Sequence, residues 1–149
     1  MRQKAWTLKT LMLYNGLLQL AHLAGLTWSF LLFRRSGRIT TLAQAPPGGW
    51  TGQAETLLLA LGAIDALNAL ASIHLVWSFL RRRPYWRPFG IVCLTISVIS
   101  ALIYAVATGL SGAWTVHPRA YISLMLLFLP LPLLLLMLLN AGDARPSTS

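Results

Sequence analysis

Asp65 is the residue of this chain best placed to do chemistry. It is an acid in the middle of the apolar run TLLLALGAIDALNALASIHLVWSFL. A carboxyl group at the centre of a membrane-crossing helix costs about 2.5–3.5 kcal/mol on insertion scales, so it needs a partner or a proton. Ionised beside His22 it would form a buried pair; neutral, it would donate a hydrogen bond to Asn68 or Gln19. Two roles follow for Asp65 and His22: a proton or ligand site, or interhelical glue that fixes the register of the helices.

Other polar residues fall into line with these. In the first apolar stretch Asn15, Gln19, His22 and Ser29 are separated by four, three and seven residues, which keeps them on one helical face. Asp65, Asn68 and Ser72 repeat the pattern in the second, and Cys93, Ser97, Ser100, Tyr104, Thr108 and Ser111 form a stripe along the third. Amides, hydroxyls and carboxyls find no partners in lipid, so the three stripes are expected to face one another. Small residues beside them (Ala21, Gly25, Gly62, Ala66, Ala69) permit close approach. Counted from the span ends at ~1.5 Å per residue, His22, Asp65 and Ser100 lie within about 3 Å of one level. His22, Gln19, Asp65, Asn68 and Ser100 thus form a candidate polar site near the midplane, with Tyr104 one turn further out.

The remaining motifs exclude much. His22 and His74 differ by ~9 Å in depth, which argues against a two-histidine haem. No cluster has metal-ligand spacing, no Ser-His-Asp arrangement sits on a strained turn, and no glycine-rich loop can cradle phosphate. The expected cofactor is none. The single cysteine, Cys93, forms no internal disulfide and reads as a packing residue. His74 reads as a packing or interface residue, His117 as exposed, and Glu55 as an acid at a helix N-terminus.

The elements that must carry these residues are four long apolar stretches separated by arginines: Thr10 to Phe33, Thr56 to Leu80, Phe89 to Ser111 and Ala120 to Ala141. Each exceeds the ~20 residues that cross a bilayer as a helix. The fold expected is all-α, an integral membrane four-helix transmembrane bundle over 1–141, with a disordered tail at 142–149. The chain is 56% hydrophobic and 10% charged, against about a quarter charged for soluble domains, and its 149 residues leave no room for a separate soluble domain. The first apolar run is 24 residues long. A signal-peptide core has ~7–15, so an uncleaved first span is expected.

The net charge of +9 comes from 12 Lys and Arg against 3 acids. The cations stand at span ends, without a basic stripe interleaved with aromatics, so nucleic acid is not the expected partner. Eight fall on one side (the N-terminus, the RRRPYWRP connection and the tail) and four on the other. The positive-inside tendency places both termini in the cytoplasm, in the plasma (bacterial inner) membrane. Pro84 and Pro88 make RRRPYWRP a tight turn, and the longest connection, Arg34 to Glu55, is expected to be irregular. Trp6, Trp28, Trp50, Trp77 and Trp114 read as an interfacial belt. From Leu124 to Leu139 the fourth span contains only Leu, Met, Phe and Pro. It is expected to be the most lipid-exposed helix or one that packs on other membrane subunits.

With no catalytic motif, the leading functional expectation is an accessory or structural subunit of a membrane assembly. The alternative is intramembrane binding or transport of a lipid-like hydrophobic small molecule, or of protons, through a polar cavity between spans one to three. A membrane-embedded enzyme using Asp65 and His22 as an acid–base pair ranks third.

Overall fold

The computed structural model describes residues 2–39, 44–50 and 52–140, and every regular element among them is helical. The elements are α1 (Arg2–Ser36), α2 (Gly52–Leu80), α3 (Trp86–Leu110), α4 (Ala113–Val116), α5 (Pro118–Phe128) and α6 (Pro130–Asn140). Four stretches are long and apolar enough to cross a membrane: Trp6–Ser36, Gly52–Leu80, Trp86–Leu110 and Pro118–Asn140. The last combines α5 and α6. The tail at 142–149 lies outside the described residues.

Chain chemistry sets the boundaries. Gly37 (φ 65°) follows the end of α1, and Arg82 (φ 52°) takes the same left-handed conformation just after α2. Glu55 lies in the first turn of α2, where the helix dipole favours an acid. Pro118 opens α5 at a position whose N–H needs no helical partner. Pro130 cannot donate to Leu126, whose carbonyl accepts from the Leu129 N–H instead (3.3 Å), and the span breaks there. The Tyr14 hydroxyl donates to the nearby Leu127 carbonyl at 2.7 Å. At the far end of α6, Arg87 donates to the carbonyls of Leu138 (2.8 Å) and Leu139 (3.2 Å). These are acceptors that the helix leaves without intrahelical donors.

The helices form a ring. α1 packs along α2, α2 along α3, α3 along α5 and α6, and α6 returns to α1. The ring is incomplete at one place: among the described residues, no Cα of α1 comes within 8 Å of a Cα of α5. The half of the bundle holding α6 is closed and dry. Met12, Leu75, Cys93, Leu94, Leu131, Leu134 and Leu138 form one buried cluster there. A second cluster closes the opposite end, where Trp50, Leu58, Ala113 and Tyr121 are buried together against Ile39, Ala45, Tyr104 and Trp114. The Tyr121 hydroxyl donates to the Gln44 carbonyl (2.8 Å), and the Trp114 indole to Thr108 Oγ1 (2.8 Å).

Several expectations are corrected. Trp50 and Trp114 turn inward to build this cap. His117 is half-buried rather than exposed. The fourth span is not the most exposed helix. Buried residues make up 17% of its most apolar stretch against 11% in the first span and 28% in the second and third. Leu131, Leu134 and Leu138 are its inward face.

Gly90 is what lets α3 approach α2 and α6. A Cβ there would stand 2.9 Å from Leu138 Cδ1 and 3.0 Å from Leu75 Cδ1, both on fully buried side chains. Gly90→Ala is expected to destabilise the fold by about 1–3 kcal/mol through overpacking. Gly109→Ala, where a Cβ meets nothing within 4 Å, should be neutral or stabilising. Thermal unfolding of both variants in the same detergent measures the difference.

Candidate ligand-binding cavity

Between the dry cluster and the aromatic cap lies a cavity of about 540 Å³. Its position follows from the polar stripes. The midpoints of the four spans fall at residues 21, 66, 98 and 129, and the deep end of the cavity is built there. All six residues of the candidate site (Gln19, His22, Asp65, Asn68, Ser100 and Tyr104) border this one space. The stripes do turn toward one another.

The deep end is a network. Ser97 Oγ accepts from Asn68 Nδ2 at 2.8 Å and from Gln19 Nε2 at 3.4 Å. Asn68 Nδ2 also donates to the Cys93 carbonyl at 3.2 Å. This carbonyl fixes the amide's orientation, because the opposite flip would set two oxygens together. Ser97 was visible as part of the α3 stripe, but its place as the node joining α1, α2 and α3 was not read from the sequence. The signal that marks it is its level, beside Gln19 and Asn68 rather than beside Asp65.

One turn further out, His22 Nε2 lies 3.6 Å from Asp65 Oδ2. That is too long for a hydrogen bond. Their side chains keep 15% and 19% of their exposure, whereas Gln19 is 3% and Ser100 5% exposed. Asp65 makes no hydrogen bond among the described residues, and neither does the Ser100 hydroxyl. His22 packs its ring edge-on to Phe128 of α5 (5.7 Å between centroids), across the seam where the two backbones stand apart.

The outer end is apolar. Leu26, Phe30, Phe33 and Ile39 line it from α1 and the residues after it, Leu58 and Leu61 from α2. Thr27 and Ser29 are the local exceptions, and the Thr27 hydroxyl is taken up by the Leu23 carbonyl (2.8 Å). Phe30 borders the cavity yet is 58% exposed, so the space is open at its side, not sealed. Leu124, Met125 and Phe128 of α5 form the facing wall.

The stripes also continue below the cavity. Asn15 and Ser72 are fully buried, and the Asn15 amide has no hydrogen-bond partner there. The next layer, Met12 with Leu75 and Leu94, is apolar and fully buried. A polar route thus ends inside the bundle. His74 lies outside it, exposed among Trp77, Tyr85 and Phe89, with Nε2 3.4 Å from the Tyr85 hydroxyl.

Among the described residues, no group of three or more His, Cys, Asp or Glu could hold a metal ion. The arrangement offers instead a hydrogen-bonding floor under an apolar chamber. No protein-family model, curated protein or solved structure matches the chain, so this geometry and the sequence carry the functional reading.

Proposed function

We propose that this protein resides in the plasma membrane with both termini cytoplasmic, and binds a lipid-like molecule in the cavity between α1, α2, α3 and α5. The orientation rests on the eight-to-four distribution of Lys and Arg. What carries the binding reading is the cavity itself. Its volume of about 540 Å³ lies inside the range of small-molecule sites, which run from about 300 to 1,000 Å³. Its walls also have the composition of such sites, being mostly apolar with a few convergent polar groups.

Binding is favoured over transport of protons because the polar stripe stops at the layer of Met12, Leu75 and Leu94. A conducted proton needs a continuous chain of hydrogen-bonding groups, and these side chains supply none. An accessory role in a larger membrane assembly, the leading expectation from sequence, accounts for polar groups as glue but has no use for an open chamber beside them. An acid–base reaction at His22 and Asp65 would use the same chamber and would require the same bound molecule.

Native mass spectrometry of the chain released directly from membranes tests the reading. The expected spectrum shows a one-to-one adduct of a single apolar molecule that survives activation sufficient to strip bulk lipid. A purely statistical ladder of phospholipid adducts, shed together, would overturn it.

A further inference from the structure

The polarity of the chamber runs opposite to that of the leaflet around it. In a leaflet, polar groups lie at the surface and hydrocarbon at the middle. Here the hydrogen-bonding groups sit at the span midpoints and the hydrocarbon-like wall lies toward the α1–α2 connection. A phospholipid entering sideways would bring its tails to the polar floor and leave its headgroup among Phe30, Phe33 and Leu58. Neither end would be matched.

The floor also states what it lacks. A carboxyl group accepts hydrogen bonds when ionised and also donates one when neutral, and Asp65 makes none with the described residues. His22 Nε2 lies 3.6 Å from its Oδ2. The Ser100 hydroxyl is likewise unbonded and able to donate or accept. A molecule that completes this set in either form of Asp65 must both donate and accept. A hydroxyl does both. A ketone, quinone or ester only accepts and leaves an ionised Asp65 unmatched, and an ammonium only donates and leaves a neutral Asp65 without an acceptor. A carboxylate or phosphate sets a like charge against it. The side of the chamber between α1 and α5, where the backbones do not approach, faces the hydrocarbon that such a molecule would arrive from.

We infer that the ligand is a lipid alcohol, bound upside down relative to the leaflet, with its hydroxyl on Asp65, His22 and Ser100 and its hydrocarbon directed toward Phe30 and Phe33. This rests on the binding reading above and adds the headgroup chemistry and the orientation.

Photolabelling in bilayers with two forms of 1-hexadecanol tests it, one carrying a diazirine next to the hydroxyl and one at the far end of the chain. The expected result is labelling of the Asp65 and Ser100 peptides by the first form, and of the Phe30–Phe33 peptide by the second. Unlabelled 1-hexadecanol should compete about tenfold better than methyl palmitate or palmitate, the discrimination expected from one matched hydrogen bond. Exchanged labelling patterns, or equal or better competition by either of the other two, would overturn the inference while leaving a lipid-binding cavity. Labelling no stronger in the cavity than at Leu67 and Leu102, which are 71% and 61% exposed, would overturn the binding reading as well.

Discussion

Gly62→Phe is expected to leave the bundle folded and to abolish the bound molecule. Gly62 borders the cavity, and a Cβ placed there meets a single atom, Leu26 Cδ2, at the ordinary contact distance of 3.9 Å. The benzyl group therefore has room, and the room is the chamber. Replacing glycine within a helix also reduces the entropy lost on folding, which offsets part of any local strain. The one-to-one adduct should fall about tenfold or more, as filling a site with protein atoms removes the apolar area the ligand would bury. Gly109→Phe is the control: it adds the same group at an exposed position where a Cβ touches nothing within 4 Å. It should keep both the adduct and the melting temperature. Parallel native mass spectra and thermal unfolding curves decide the matter. A Gly62→Phe protein that folds and keeps its adduct locates the ligand elsewhere.

Asp65→Leu should move stability and binding in opposite directions. An acid at mid-span costs about 2.5–3.5 kcal/mol on insertion scales, and Asp65 offsets it only through the 3.6 Å approach of His22 Nε2, with no hydrogen bond to its neighbours. Leucine removes that cost, so the variant should insert better and melt higher. The same change deletes the acceptor for the ligand's hydroxyl. A hydrogen bond contributes about 0.5–3 kcal/mol, so affinity for 1-hexadecanol should fall about two- to a hundredfold. Asp65→Asn keeps one acceptor oxygen and should fall between wild type and Asp65→Leu. If Asp65 were glue between helices, Asp65→Leu would lower the melting temperature. Unfolding and equilibrium binding measured on the same preparation separate the two roles.

The contrast between what the sequence revealed and what it hid has a physical basis. Polar residues in an apolar helix are conspicuous and can face only inward, so the spacing of Gln19, His22, Asp65, Asn68 and Ser100 disclosed which faces meet and at what level. Span ends were legible for the same reason, being marked by Arg and Pro. The fourth span carries no such marks. Among uniform leucines, nothing in the pattern distinguishes Leu131, Leu134 and Leu138, which are buried, from Leu133 and Leu136, which are exposed.

The chamber was illegible because a void depends on where backbones diverge. Here α1 and α5 stand apart although the Tyr14 hydroxyl reaches the Leu127 carbonyl between them, and no residue pattern marks that separation. Tryptophan carried no such information. Its amphipathic ring suits an interface and a folded-back loop equally well, and only the loop's path tells which is used.

Whether apolar matter fills the space between the polar stripes can be read with a nitroxide on Ala101→Cys, in a background where the single cysteine is removed by Cys93→Ser. Ala101 borders the chamber. In bilayers, the account predicts frequent collisions of this label with molecular oxygen, which dissolves in hydrocarbon, and few with a water-soluble nickel chelate. Low accessibility to both would mean that the stripes pack dry against one another; nickel collisions exceeding those of oxygen would mean a water-filled path. Either result contradicts a lipid-binding chamber.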